Sequence, residues 1–249
     1  MHITRFSILA LALAIAHGGA AAADIPEGTW STAAELGAIA TSGNTVGASV
    51  TGKIDARQEL DDWSNQYIFT GYFKEDEKNL EDGDKIRVRS AERFSVSAKA
   101  AYKLLDRSEK LFVFGSHIDD KFGAYTTFSS MAIGHSSQWY KSPDATIDIE
   151  LGPGYFNGRR ASGESESGFT VRGAAALKWK LSTSALFSQT VSVERGASNI
   201  HASAEAAIST KINDTMQMKA AFVARNDSNV PVDKKNTDTQ TSLTLVYSF

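Results

Sequence analysis

The chain has 249 residues, a net charge of −3, no cysteine and only four prolines. Without thiols it can hold no disulfide, zinc–thiolate or iron–sulfur centre, and a mildly acidic balance does not suit a nucleic-acid binder, which carries a basic surplus. The length fits one domain, because all-β folds of about 200–250 residues are commonly single domains.

The first predicted element is a processing segment. Arg5 precedes an apolar stretch from Phe6 to Ala16, and Ala21-Ala22-Ala23 form a small-residue cleavage site before Asp24. This pattern predicts a secretory signal peptide over 1–23. The stretch falls short of the ~20 apolar residues that a membrane-spanning helix needs. Residues 24–249 then form the mature domain.

Beyond it, period-two alternation replaces helical periodicity, in segments divided by turn signals. Twelve strands are predicted: 29–41, 45–59, 62–75, 86–103, 109–119, 125–140, 144–157, 167–181, 183–195, 198–212, 214–226 and 237–249. In the eighth, Phe169, Val171, Leu177 and Trp179 share one face and Thr170, Arg172, Lys178 and Lys180 the other. The last sets Leu243, Leu245, Tyr247 and Phe249 against Ser242, Thr244, Val246 and Ser248. The segments around 109–140 alternate least. Most are long enough for the ~9–11 tilted residues that cross a bilayer.

The connections differ by side. Even-numbered ones are tight, as at Leu60-Asp61 and Leu181-Ser182, whereas several odd-numbered ones (76–85, 158–166, 227–236) are longer and polar. Short periplasmic turns and longer outer loops mark outer-membrane barrels. Trp30, Trp63, Trp139 and Trp179 all fall at the short-turn end, in phase with the apolar faces, and Tyr102, Tyr247 and Phe249 join them. Such rings favour the level where lipid tails meet headgroups; in a soluble sandwich they would gather in mid-strand.

A lipid-facing sheet must also close, because hydrocarbon satisfies no bare N–H or C=O. The prediction is all-β: a single transmembrane antiparallel up-and-down β-barrel of about twelve strands in the bacterial outer membrane. The expected partners are outer-membrane lipid and the barrel-assembly machinery, the latter reading Tyr247 and Phe249 in the C-terminal strand. No cofactor, metal or nucleic acid is expected.

The opposite phase assigns Lys53, Arg87, Arg89, Arg93, Lys99, Arg172 and Lys178, with Asp148 and Glu150, to the interior, where bases outnumber acids. Two readings stay open. The favoured one is a filled or very narrow basic lumen in which these side chains neutralise one another. The alternative is a narrow anion-leaning channel centred on Arg87, Arg89 and Arg93, since rings of Arg and Lys favour anions in a pore. Twelve strands lie between barrels of ~8, which side chains fill, and those of ~16–18, which hold aqueous channels.

A membrane-embedded hydrolase is the rival of another class, and the chain is expected not to be an enzyme. Ser116–His117 and His135–Ser136 point to opposite faces of their strands, leaving His117 with Asp119 as the pairing to watch; His201 is the remaining histidine. Asp76, Asp82 and Asp84 match no ordered calcium loop. Gly152-Pro153-Gly154 marks a bend in the wall.

Thr41-Ser42-Gly43-Asn44-Thr45, Glu150-Leu151-Gly152-Pro153-Gly154-Tyr155 and Leu245-Val246-Tyr247-Ser248-Phe249 resemble the YdiY-like family of salt-induced outer-membrane proteins, uncharacterised β-barrels. The likeness runs over essentially the whole mature chain, and the Ser-Gly-Asn-Thr turn is its most specific part. Phe156-Asn157 departs from it where a basic residue is expected. The resemblance implies an outer-membrane barrel with a structural or stress-related role. It implies no established activity, so no functional residues carry over.

Overall fold

Among the described residues every regular element is a strand: β1 (Thr29–Thr41), β2 (Gly47–Glu59), β3 (Trp63–Asn79), β4 (Lys85–Lys103), β5 (Glu109–Asp120), β6 (Tyr125–Lys141), β7 (Ala145–Arg160), β8 (Ser165–Lys180), β9 (Ala185–Arg195), β10 (Ile200–Lys211), β11 (Met216–Asp227) and β12 (Thr237–Ser248). The computed structural model describes residues 28–41, 47–79, 84–106, 108–197, 199–230 and 235–249. The predicted signal peptide and the Ser42-Gly43-Asn44-Thr45 turn lie outside them. Each strand pairs antiparallel with its sequence neighbours, and β12 returns to β1 to close the barrel.

Alternation explains the wall. In β12, Leu243, Leu245 and Tyr247 are exposed on the outer face while Thr244 and Val246 are buried inside. Phe169 on β8 is 84 % exposed and Leu36 on β1 66 %. These apolar side chains need hydrocarbon around them. The last residue is held as well: Phe249 exchanges backbone hydrogen bonds with Thr32, both at 2.9 Å.

The β3–β4 and β7–β8 connections are shorter than expected, because the ladder runs on past the predicted ends. Asn79 pairs with Lys85, and Arg159 with Ser165. Ion pairs hold these extensions: Lys85–Glu77 at 2.7 Å and Arg160–Glu166 at 2.6 Å. Polar composition there reads as loop, but oppositely charged partners stabilise a hairpin in water. At the short-turn end, Asp106 accepts the Ser108 N–H at 3.0 Å, which holds its carboxyl below the usual range.

One corner is built by glycine. A Cβ on Gly152 would lie 2.0 Å from the Ile133 carbonyl oxygen and 2.6 Å from Gly134 Cα; one on Gly134 would lie 2.3 Å from the Leu151 oxygen. The β6 and β7 backbones touch where two inward side chains should stand, so the wall folds sharply there.

Candidate functional site

The interior is where polar chemistry collects. Glu150 on β7 receives Lys99 Nζ from β4 at 2.5 Å and Arg172 Nη1 from β8 at 3.1 Å. β4 and β7 are not neighbours, so Lys99 and Glu150 meet only through the lumen. Arg172 continues to Glu194 at 3.5 Å, and Ser130 donates to Glu194 at 2.9 Å. A second network lies against β1: Lys219 bridges Glu35 at 3.3 Å and Glu205 at 3.0 Å. Lys53 stands 3.7 Å from Glu35 and 4.0 Å from Asp55, which also binds Arg57 at 3.0 Å. Near the outer end Arg93 pairs with Asp120 at 3.0 Å.

The central groups are largely buried. Arg172 and Asp55 are 3 % exposed, Lys219 5 % and Arg93 7 %. A buried charge is tolerable only when paired and hydrogen-bonded; most of these pairs join neighbouring strands, and Lys99–Glu150 and Lys219–Glu35 join strands that are not neighbours. Arg172 also lies over the Phe114 ring, 4.5 Å from its centroid.

The β5–β7 wall is apolar on its inner face too. Ala101, Phe112, Phe114 and Ala132 form one cluster, and Ile118, Tyr125, Phe128 and Phe156 another. Phe128 stacks on Phe156 at 5.6 Å and on His201 of β10 at 5.5 Å, and His201 Nδ1 is 2.8 Å from Asp227. The His201 ring thus reaches from β10 to the β6–β7 rings near the outer end. Two-faced hydrophobicity is why 109–140 alternates poorly, and β6 adds register shifts at Tyr125/Thr127 and Gln138/Tyr140.

Of the residues assigned to the lumen, Lys53, Arg93, Lys99, Glu150 and Arg172 join these networks, and Asp148 and Lys178 lie on the inward phase of β7 and β8. Arg87 and Arg89 require a correction. A bulge at Ser90 shifts the register so that Lys74 faces Ala91 but Glu75 faces Arg89. The extra residue reverses the phase of everything before it. Arg89 therefore lies outside, over the outward Phe73 ring at 5.8 Å and paired with Glu92 at 2.5 Å, and Arg87 opposes Glu77 on the same face. Alternation counted blindly across the bulge hid this.

Sequence reasoning also missed inward acids. Glu59 binds Lys103 at 2.7 Å, Asp120 holds Arg93, Asp227 holds His201, and Asp238 is the register partner of Arg225. All four lie at or near strand ends, and the predicted boundaries cut off Asp120 and Asp227. With them counted and Arg87 and Arg89 outside, the interior is closer to neutral than expected.

Outside, Trp30, Trp63 and Trp179 are exposed at the short-turn end; Trp63 packs edge-on against Tyr102 at 5.3 Å, and Trp139 sits in the second β6 irregularity. His117 Nδ1 meets Ser129 Oγ at 2.8 Å on the outer face, with Asp119 one step along it. His135 Nε2 pairs with Glu109 at 2.6 Å. Asp76 of the acidic stretch pairs with Lys74 at 2.8 Å, and Asp82 lies outside the described residues.

Comparison with known proteins agrees with this geometry. The family described as "Protein of unknown function, DUF481" matches residues 34–249. "Uncharacterized protein YdiY" of Escherichia coli (strain K12) is 27% identical over 213 residues, covering 85% of this chain and 80% of that one. Among solved structures, an outer membrane channel from Pseudomonas putida F1 superposes with a TM-score of 0.55 and 9% identity over 90% of this chain and 97% of that one. The NanC porin gives 0.54 and 7%, over 88% and 98%. Identities this low speak to fold alone. A closed twelve-strand barrel with an apolar outer surface and a polar lumen is a bacterial outer-membrane protein.

Proposed function

The chain belongs to the family described as "Protein of unknown function, DUF481", and from there we propose that it is a structural outer-membrane barrel whose interior is closed by its own side chains. The observation that carries this reading is the Lys99–Glu150–Arg172–Glu194 network, which spans non-adjacent strands through the lumen with Arg172 almost wholly buried. On this reading the bound groups leave no continuous hydrated path along the axis. The resemblance to salt-induced proteins supports a stress-related role, in which the barrel stiffens or seals the membrane. On this reading it is not an enzyme.

The test is swelling of proteoliposomes in isotonic neutral sugars. A closed interior predicts no swelling above protein-free vesicles, and swelling at the rate of an open porin contradicts it.

One observation favours a narrow anion-leaning passage as the second reading. Lys103, Lys110, Lys178 and Lys180 all lie on the inward phase near the periplasmic end, so anions would gather at that mouth. The names of the superposed proteins, a porin and a channel, lend it support.

A further inference from the structure

The seam that closes the barrel is its least complete ladder. β1 and β12 share register pairs only from Ala33↔Ser248 to Leu36↔Leu245. β1 stays in register with β2 from Thr29↔Glu59 to Thr41↔Gly47, and β12 with β11 from Met216↔Tyr247 to Asn226↔Thr237. Continuing the seam would set Gly37 beside Thr244, Ala38 beside Leu243 and Thr41 beside Gln240, but these pairs do not form. The break begins at Gly37, where a Cβ would stand 2.8 Å from Thr244 Cγ2 and 2.9 Å from the Leu243 carbonyl oxygen. The edge of β12 crowds the inner face of β1 instead of lying beside it.

This break lies in the apolar band, flanked outside by the exposed Leu36 and Leu243. Hydrocarbon offers no water to an unpaired backbone group, so edges left without ladder pairs call for a polar partner at that depth. Side chains behind the break want one too. Gln240 Oε1 and Thr244 Oγ1 are buried without a hydrogen-bond partner, and Thr244 is only 7 % exposed. The inward neighbours Ser49, Thr51 and Ser242 carry hydroxyls, and Lys219, the register partner of Thr244, is already bound by Glu35 and Glu205. Outside, Ala38, Thr239 and Thr241 border the break.

We propose that β1 and β12 part above Gly37 and give the lumen a lateral opening to the outer leaflet. It accepts an uncharged amphiphile whose hydroxyl or amide groups pair with Gln240, Thr244 and the strand edges. The inference rests on barrel closure and not on whether the axis conducts.

The chain has no cysteine of its own, so single nitroxide labels can be placed cleanly. Labels at Ser242→Cys, behind the seam, and at Ser188→Cys, inward on β9 with both edges paired, are compared in phosphatidylcholine bilayers. The expected result is several-fold more frequent collision with lipid-soluble oxygen at position 242 than at 188. Equal oxygen access overturns the proposal, and so does preferential collision at 242 with an aqueous nickel chelate, which would mean a water-filled slot. Amide exchange of the unmodified barrel gives the same test without substitution. Seam-facing amides of Ala38 to Thr41 should exchange roughly tenfold or more faster than those of Ala33 to Leu36, since unpaired backbone opens locally; uniform protection refutes the proposal. Neither readout depends on the swelling assay, so each reading can fail alone.

Discussion

Gly152→Val abolishes assembly of the barrel: the unboiled protein should lose its fast-migrating folded band on gels, while wild type keeps it. The valine Cβ would have to occupy space 2.0 Å from the Ile133 carbonyl oxygen and 2.6 Å from Gly134 Cα. Both obstacles are backbone, so no rotamer change relieves them. Overpacking a tight site costs about 1–3 kcal/mol even where side chains can shift, and here the β6–β7 ladder itself must separate. Gly168→Ala is the matched control on the next strand, because its Cβ would meet only Phe156 Cε1 at 3.5 Å, an ordinary contact. That variant should fold as wild type does.

Removing the carboxylate at the centre of the interior is the second large effect. Glu150→Ala leaves Lys99 and the nearly buried Arg172 without their shared acceptor. Stripping one partner from a buried pair costs about 3–5 kcal/mol, because the remaining charge stays desolvated. Arg172 keeps Glu194 at 3.5 Å, which sets the expected loss at the lower end, about 3 kcal/mol. The midpoint of urea unfolding in detergent should fall accordingly. Glu150→Gln, which retains volume and an acceptor oxygen, should lose less. If both variants unfold with wild type, the network does not hold the lumen together.

Much of this architecture was legible in the residues. Wherever one face is lipid and the other a polar lumen, as in β8 and β12, period two sorts Phe169 from Arg172 and Tyr247 from Thr244 without ambiguity. The sorting blurred where the lumen itself is apolar, since Phe112, Phe114 and Phe128 face inward against a lipid face that is also greasy. It inverted at Ser90, because a bulge leaves no mark in composition and a one-residue slip moves Arg87 and Arg89 to the other side. The interior charge balance went astray at strand ends, where Asp120 and Asp227 look like turn residues until their partners Arg93 and His201 are in place. Contacts such as Lys99–Glu150 join distant strands, and no local pattern encodes them.

On the proposed reading, a side-chain-filled lumen lets a twelve-strand wall, intermediate in girth, carry many charges without becoming a pore. Lys99, Arg172, Arg93, Lys219 and Lys103 each reach a carboxylate on another strand, and the β5–β7 wall adds rings. On that reading the Glu150 network should matter for permeability as well as stability, since its groups meet inside the lumen.

Single-channel recording of the purified wild-type barrel in a planar bilayer puts that claim to the most direct test. The side-chain plug predicts a silent bilayer, with discrete steps appearing only in Glu150→Ala. Large, steady steps from the wild type, comparable to those of an open porin, would contradict it.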